Sequence, residues 1–151
     1  MKGSELAFWD SSALVFLCVY QKDSSRYQRL SRELPGKVVW WGAVVEISSA
    51  IARGLRLGEL NGPDARIAFT RLDQLQSAWH EILPLDDIRR VAVDLLSRES
   101  LALRAADSLQ LAAALRWCGQ RTDGRVFVCD DLKLRNAAGQ IGFSVVSRFK
   151  R

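Results

Sequence analysis

Short, nearly uninterrupted apolar runs alternate along the chain with longer stretches whose apolar residues recur every three or four positions. The first kind reads as strands buried on both faces and the second as helices. The pattern predicts strands at residues 5–10 (ELAFWD), 37–40 (KVVW), 79–83 (WHEIL), 125–129 (RVFVC) and 143–146. It predicts helices at 13–20, 24–34, 42–53, 64–77, 86–97, 104–118 and 132–138. The pair Ser11-Ser12 marks the start of the first helix as an N-cap signal, and Pro35-Gly36 closes the second. Residues 54–63 hold Gly54, Gly58, Gly62 and Pro63 and read as a turn region. Strands that alternate with helices imply βαβ units. The expected fold class is α/β: a single three-layer α/β/α sandwich over residues 1–151, with a mostly parallel sheet.

Length and composition narrow this without redirecting it. A chain of 151 residues makes one domain. With 48% hydrophobic and 26% charged residues it has a globular balance, which argues against disorder and low-complexity tails. The formal net charge of +5 permits a polyanionic partner without requiring one. Cys18, Cys118 and Cys129 are odd in number, sit among apolar neighbours and form no CxxC. They read as buried thiols, not as a disulfide framework or a zinc site. No signal pattern or membrane-length apolar run is visible, so a cytoplasmic protein without membrane contact is expected.

The chemistry lies in the placement of carboxylates. Asp10 ends the first strand, and Asp130 and Asp131 end the fourth. The carboxyl ends of parallel strands are where functional groups gather. Each of these acids is equally well placed to cap the helix that follows. Glu46 lies in WWGAVVEISSAIA, where it is the sole charge between Lys37 and Arg53. Asp107 lies in LALRAADSLQLAAAL, with Arg104 three residues away as a helical partner. Carboxylates in such apolar surroundings are paired or hold a cation. Gathered in one pocket, Asp10, Glu46, Asp107 and Asp131 would repel one another and call for a metal. All-oxygen donors favour Mg²⁺ or Mn²⁺.

At these residues the chain resembles the PIN-domain family, and within it the VapC-type toxin ribonucleases of type II toxin–antitoxin systems. WDSSALV at 9–15 resembles the first family motif and carries Asp10. VVEISSAIAR at 44–53 resembles the second and carries Glu46. LRAADSLQLAAAL at 103–115 resembles the third and carries Asp107. VFVCDDLKLRNAA at 126–138 resembles the fourth and places the family's acid on Asp131. Two departures stand out. Cys129 occupies the usual Thr or Ser position, and Asp130 offers a second carboxylate that could serve as the metal ligand in place of Asp131. The resemblance implies an Mg²⁺- or Mn²⁺-dependent endoribonuclease that hydrolyses phosphodiester bonds and leaves a 5′-phosphate. It also implies a small antitoxin protein as partner and a homodimer.

The remaining features are weighed against this reading. Arg26, Arg29 and Arg32 recur on one helix, Arg53 and Arg56 follow Glu46, and Arg148, Lys150 and Arg151 form a basic tail. Together they suit a phosphate-binding rim. Ser12 is read as an N-cap ahead of a hydroxyl that supports Asp10. Trp40 and Trp41 could stack bases but are expected to serve core or interface packing. His80, the single histidine, has no nucleophile motif beside it and is read as structural. No GxGxxG or P-loop is present. A dehalogenase-like phosphatase would need an Asp where Ser12 stands, and a receiver domain would need an acidic pair near the first strand. The alternatives left are a PIN nuclease of RNA processing and a PIN-like module that binds RNA or protein without cutting; four retained acids argue against the latter.

Overall fold

The computed structural model describes residues 6–147. Within them the chain runs β1 (Leu6–Trp9), α1 (Ser11–Cys18), α2 (Ser24–Glu33), β2 (Gly36–Trp40), α3 (Ala43–Arg56), α4 (Gly62–Ala78) and β3 (His80–Ile82). It continues through α5 (Asp86–Leu96), a 3-10 turn (Glu99–Leu101), α6 (Ala105–Trp117), β4 (Val126–Val128), α7 (Leu132–Gln140) and β5 (Ser144–Val146). All four strand pairings are parallel, in the order β3-β2-β1-β4-β5. The α/β/α sandwich with a parallel sheet is therefore the observed fold.

The strand sequences lack polar alternation because both faces of the sheet are covered. Ala7, Trp9 and Val39 point into a core shared with α1, α2, α3 and α4. Phe8, Val38, Trp40 and Phe127 point into a second core built from α5, α6 and α7. Phe8 stacks on Phe127 across the β1–β4 pair with centroids 5.2 Å apart. The three cysteines are free and buried, as their apolar neighbours imply.

Two boundaries differ from the sequence pattern. The glycine-rich stretch at 54–63 is helical at both ends and a turn only over residues 57–61. Gly54 belongs to α3, where its missing side chain makes room for Leu60; a Cβ there would lie 3.0 Å from Leu60 Cδ1. Gly62 and Pro63 open α4, because Asn61 caps it by accepting from the Asp64 N–H at 2.8 Å and proline is tolerated in a first helical turn. In addition, α1 begins at Ser11, since the capping residue is Asp10 and not a serine.

The strand order fixes where a site can form. From β1 the chain steps outward through β2 to β3, then returns to place β4 on the other side of β1. The connections after β1 and β4 thus diverge, and the crevice between them lies at the carboxyl edge of the sheet, where open parallel sheets bind ligands. The β2–α3 turn beside it is tightly packed. A Cβ on Gly42 would lie 2.5 Å from Nε1 of the buried Trp40. Gly42→Ala is expected to cost about 1–3 kcal/mol through overpacking, read as a lower urea midpoint. An unchanged midpoint would show that the indole has room to yield.

Candidate metal and active site

Four helices begin at this edge, and each brings one acid. Asp10 is the N-cap of α1 and Asp131 the N-cap of α7. Glu46 lies in the first turn of α3 and Asp107 in the first turn of α6. The partial positive charge of a helix N-terminus favours a carboxylate, so each position is locally stable. Capping and facing the site are not alternatives. Asp131 Oδ1 accepts from the Leu134 N–H at 2.9 Å, and Asp10 Oδ1 from the Ser12 N–H at 3.3 Å. Yet all four acids line one cavity of about 230 Å³, together with Ser11, Ser12, Val15, Ile47 and Ala50.

Hydroxyls and an amide hold this arrangement. Ser12 is not the cap expected from sequence, since Asp10 caps α1. Its hydroxyl donates to Asp10 Oδ2 and accepts from the backbone N–H groups of Asp130 (2.8 Å) and Asp131 (3.2 Å). It thereby ties the end of β1 to the loop after β4. Ser11 Oγ donates to Glu46 Oε2 at 2.6 Å. Gln110 Nε2 donates to Glu46 Oε1 at 3.1 Å from a side chain only 1% exposed. From sequence, Ser11 reads only as half of a capping pair and Gln110 carries no site role. Gln110 stood three residues after Asp107 in an Ala/Leu run, and that helical spacing was the available signal.

Of the two adjacent acids, Asp131 lines the cavity and Asp130 does not. Asp130 Oδ1 accepts from the Tyr27 hydroxyl at 2.5 Å and so anchors α2 to the loop after β4. Cys129 is fully buried and its thiol donates to the Asp131 carbonyl oxygen at 3.1 Å. Burial raises its pKa, which keeps it a neutral thiol.

The electrostatics are those of a site short of positive charge. Among the described residues, no Lys, Arg or His lines the cavity. Burial first, then the neighbouring Glu46 charge, push the Asp10 carboxyl up from 3.8 to about 7, against the opposing pull of Ser12. Glu46 is raised by burial and by Asp107, and Asp107 by burial and by Asp131. An all-oxygen carboxylate set in this condition fits a hard divalent cation such as Mg²⁺ or Mn²⁺. The acids surround a space without clasping a point: among the described residues, no three Asp, Glu, His or Cys side chains form a ready-made metal cage.

Among the described residues, Arg26, Arg32, Arg53 and Arg56 do not line the cavity. Arg26 Nε donates to the Ser147 carbonyl, and Arg32 lines a separate cleft of about 640 Å³ with Tyr20 and Arg71. Arg53 and Arg56 are in the last turn of α3, and Arg53 stands seven residues beyond Glu46, about 10 Å along the helix. Arg148, Lys150 and Arg151 lie outside the described residues. The cations whose charge reaches the site are Arg104 and Lys133, both of which favour ionised Asp107. His80 is exposed on β3 and does not line the cavity.

No protein-family model and no curated protein matches the chain in sequence. Solved structures match it in fold. PAE2754 from Pyrobaculum aerophilum superposes with a TM-score of 0.59 at 21% identity, over 97% of this chain and 90% of that one. FitAcB from Neisseria gonorrhoeae gives a TM-score of 0.63 at 15% identity, over 92% of this chain and 95% of that one. These likenesses support a PIN-like fold.

The raised Asp10 pKa has a consequence for stability. The folded state holds this proton more tightly than the unfolded chain, so raising the pH from 3.8 to about 7 withdraws stability from the metal-free protein. Denaturant titrations across that window are expected to show a loss of about 2–4 kcal/mol. In Asp10→Asn the slope should be shallower, and the metal-free variant more stable than wild type at pH 8. Equal slopes would contradict the burial of a strained acid at this position.

Proposed function

We propose that the chain is a divalent-metal-dependent endoribonuclease, a PIN-type nuclease acting as a VapC-type toxin. The observation that carries this reading is the convergence of Asp10, Glu46, Asp107 and Asp131, from four separate segments, on one cavity with no basic side chain in its lining.

Asp10, Glu46, Asp107 and Asp131 would hold Mg²⁺ or Mn²⁺, with Asp130 committed to Tyr27. When bound, such an ion activates water for attack on a phosphodiester and offsets charge on the phosphate oxygens. The chain supplies the frame. Ser12 fixes the Asp10 carboxylate against the β4 loop, and Ser11 and Gln110 fix both oxygens of Glu46. Arg104 and Lys133 supply positive charge beside Asp107 for the RNA phosphates. Four helix N-termini around one space add to that attraction.

Partners follow from the same reading. RNA is the substrate, a small antitoxin the inhibitor and a second copy of the chain the dimer partner. Val45, Leu55, Ile67 and Phe69 on α3 and α4 are between 38% and 67% exposed, which suits a protein contact. Among the described residues no helix is long and apolar enough to cross a membrane, and a cytoplasmic location fits the role.

Magnesium-dependent cleavage of RNA, with mapping of new 5′-phosphate ends, tests the activity. Asp10→Asn and Asp107→Asn should each lower the rate by at least about 100-fold; wild-type rates in both would overturn the assignment. Gln110→Leu removes the donor to Glu46 and should weaken Mn²⁺ binding by about 10- to 100-fold in calorimetry, whereas unchanged affinity would remove Gln110 from the frame.

A further inference from the structure

Four of the five tryptophans are accounted for by packing. Trp9, Trp40 and Trp79 are 8% exposed or less, and Trp117 is partly buried against the second core. Trp41 is 49% exposed, although its mounting is rigid. Its backbone N–H donates to the Ile82 carbonyl at 3.0 Å, which fixes it to the end of β3. Its ring meets Trp40 edge-on, at 6.4 Å between centroids and 70° between planes. Trp40 in turn is wedged against the backbone at Gly42. The solvated indole is therefore held in place at little conformational cost, which is the condition for a useful stacking surface.

Its position relates it to the acids in two ways. The β1–β2 register pairs Leu6 with Gly36, Ala7 with Lys37 and Phe8 with Val38. β1 and β2 are adjacent and parallel, so Trp41, just past the end of β2, stands at the same edge of the sheet as Asp10, just past the end of β1. Trp41 also directly precedes Gly42, the N-cap of α3, the helix whose first turn carries Glu46. Arg104 and Lys133, at the starts of α6 and α7, add positive charge at the same cavity. An aromatic face, two cations and a carboxylate site at one edge match a single-stranded polyanion with flat bases better than they match an apolar peptide.

We propose that Trp41 is the stacking platform for one nucleobase of single-stranded RNA whose backbone crosses the acid cavity. The proposal rests on the nuclease reading and adds a base subsite to it. Stacking accepts any base, so Trp41 contributes affinity and register without choosing the sequence.

The test uses the full chain carrying Asp10→Asn, so that RNA is bound and not consumed. A fluorescein-labelled single-stranded RNA of about ten nucleotides and an abasic ribose-phosphate strand of equal length are titrated by anisotropy. Trp41→Ala in this background should weaken RNA binding by about 5- to 100-fold and leave abasic binding unchanged, while Trp41→Phe should retain most of the affinity. Unchanged RNA binding by Trp41→Ala would overturn the proposal. So would equal losses on both strands, which mark a structural defect. So would a change in mass by light scattering with RNA binding intact, which would assign Trp41 to a protein contact. If the Asp10→Asn parent binds neither strand, the nuclease reading itself fails, and that failure is read from the parent and not from the tryptophan variants.

Discussion

Repulsion among four carboxylates at one edge of the sheet is the constraint around which the rest of this molecule is arranged. Asp10, Glu46 and Asp107 all resist ionisation because they are withdrawn from water and because each faces another acid. A fold that merely minimised its free energy would not gather them. The parallel sheet makes the gathering tolerable. Four helices, α1, α3, α6 and α7, start at the same edge of the sheet, so four N-terminal dipoles converge where the four charges do. What the dipoles leave uncompensated is seen in the raised pKa values of Asp10, Glu46 and Asp107.

The same geometry explains the uneven burial of the acids. Asp10 sits at the switch point between β1 and β4, is 3% exposed and carries the densest set of hydrogen bonds. Asp131 is exposed at the mouth. Glu46 and Asp107 are intermediate, reaching in from helices on opposite faces of the sheet. The pocket is thus graded from a fixed floor to an open rim. A polyanion would meet Arg104, Lys133 and solvent before it met the buried acids.

Side chains that seemed interchangeable in the sequence acquire distinct roles here. Asp130 and Asp131 are adjacent and chemically identical. One accepts from Tyr27 and stabilises the packing of α2; the other caps α7 and faces the cavity. Ser11 and Ser12 divide in the same way, one toward Glu46 and one toward Asp10 and the β4 loop. Successive residues at a helix start point about 100° apart, so neighbours in sequence serve different partners.

The sequence by itself determined the alternation of strands and helices, the parallel sheet with two covered faces, and the positions of the acids. These are local or compositional properties. A strand buried on both sides must be apolar throughout, and an acid amid Ala and Val is visible without coordinates. The extents of α3 and α4 were hidden because Gly54 serves a contact with Leu60 and Pro63 a first helical turn, uses that composition does not separate from a loop. Only the tertiary structure decided that β4 lies against β1, which opens the crevice beside Asp10. Only it decided which of Asp130 and Asp131 faces that crevice, and that Gln110 reaches Glu46 from 64 residues away. It also brought Lys133, not marked in the sequence, within electrostatic reach of Asp107 alongside Arg104. Long-range proximity depends on the order of strands and the direction of side chains, and neither is written in any local stretch of the chain.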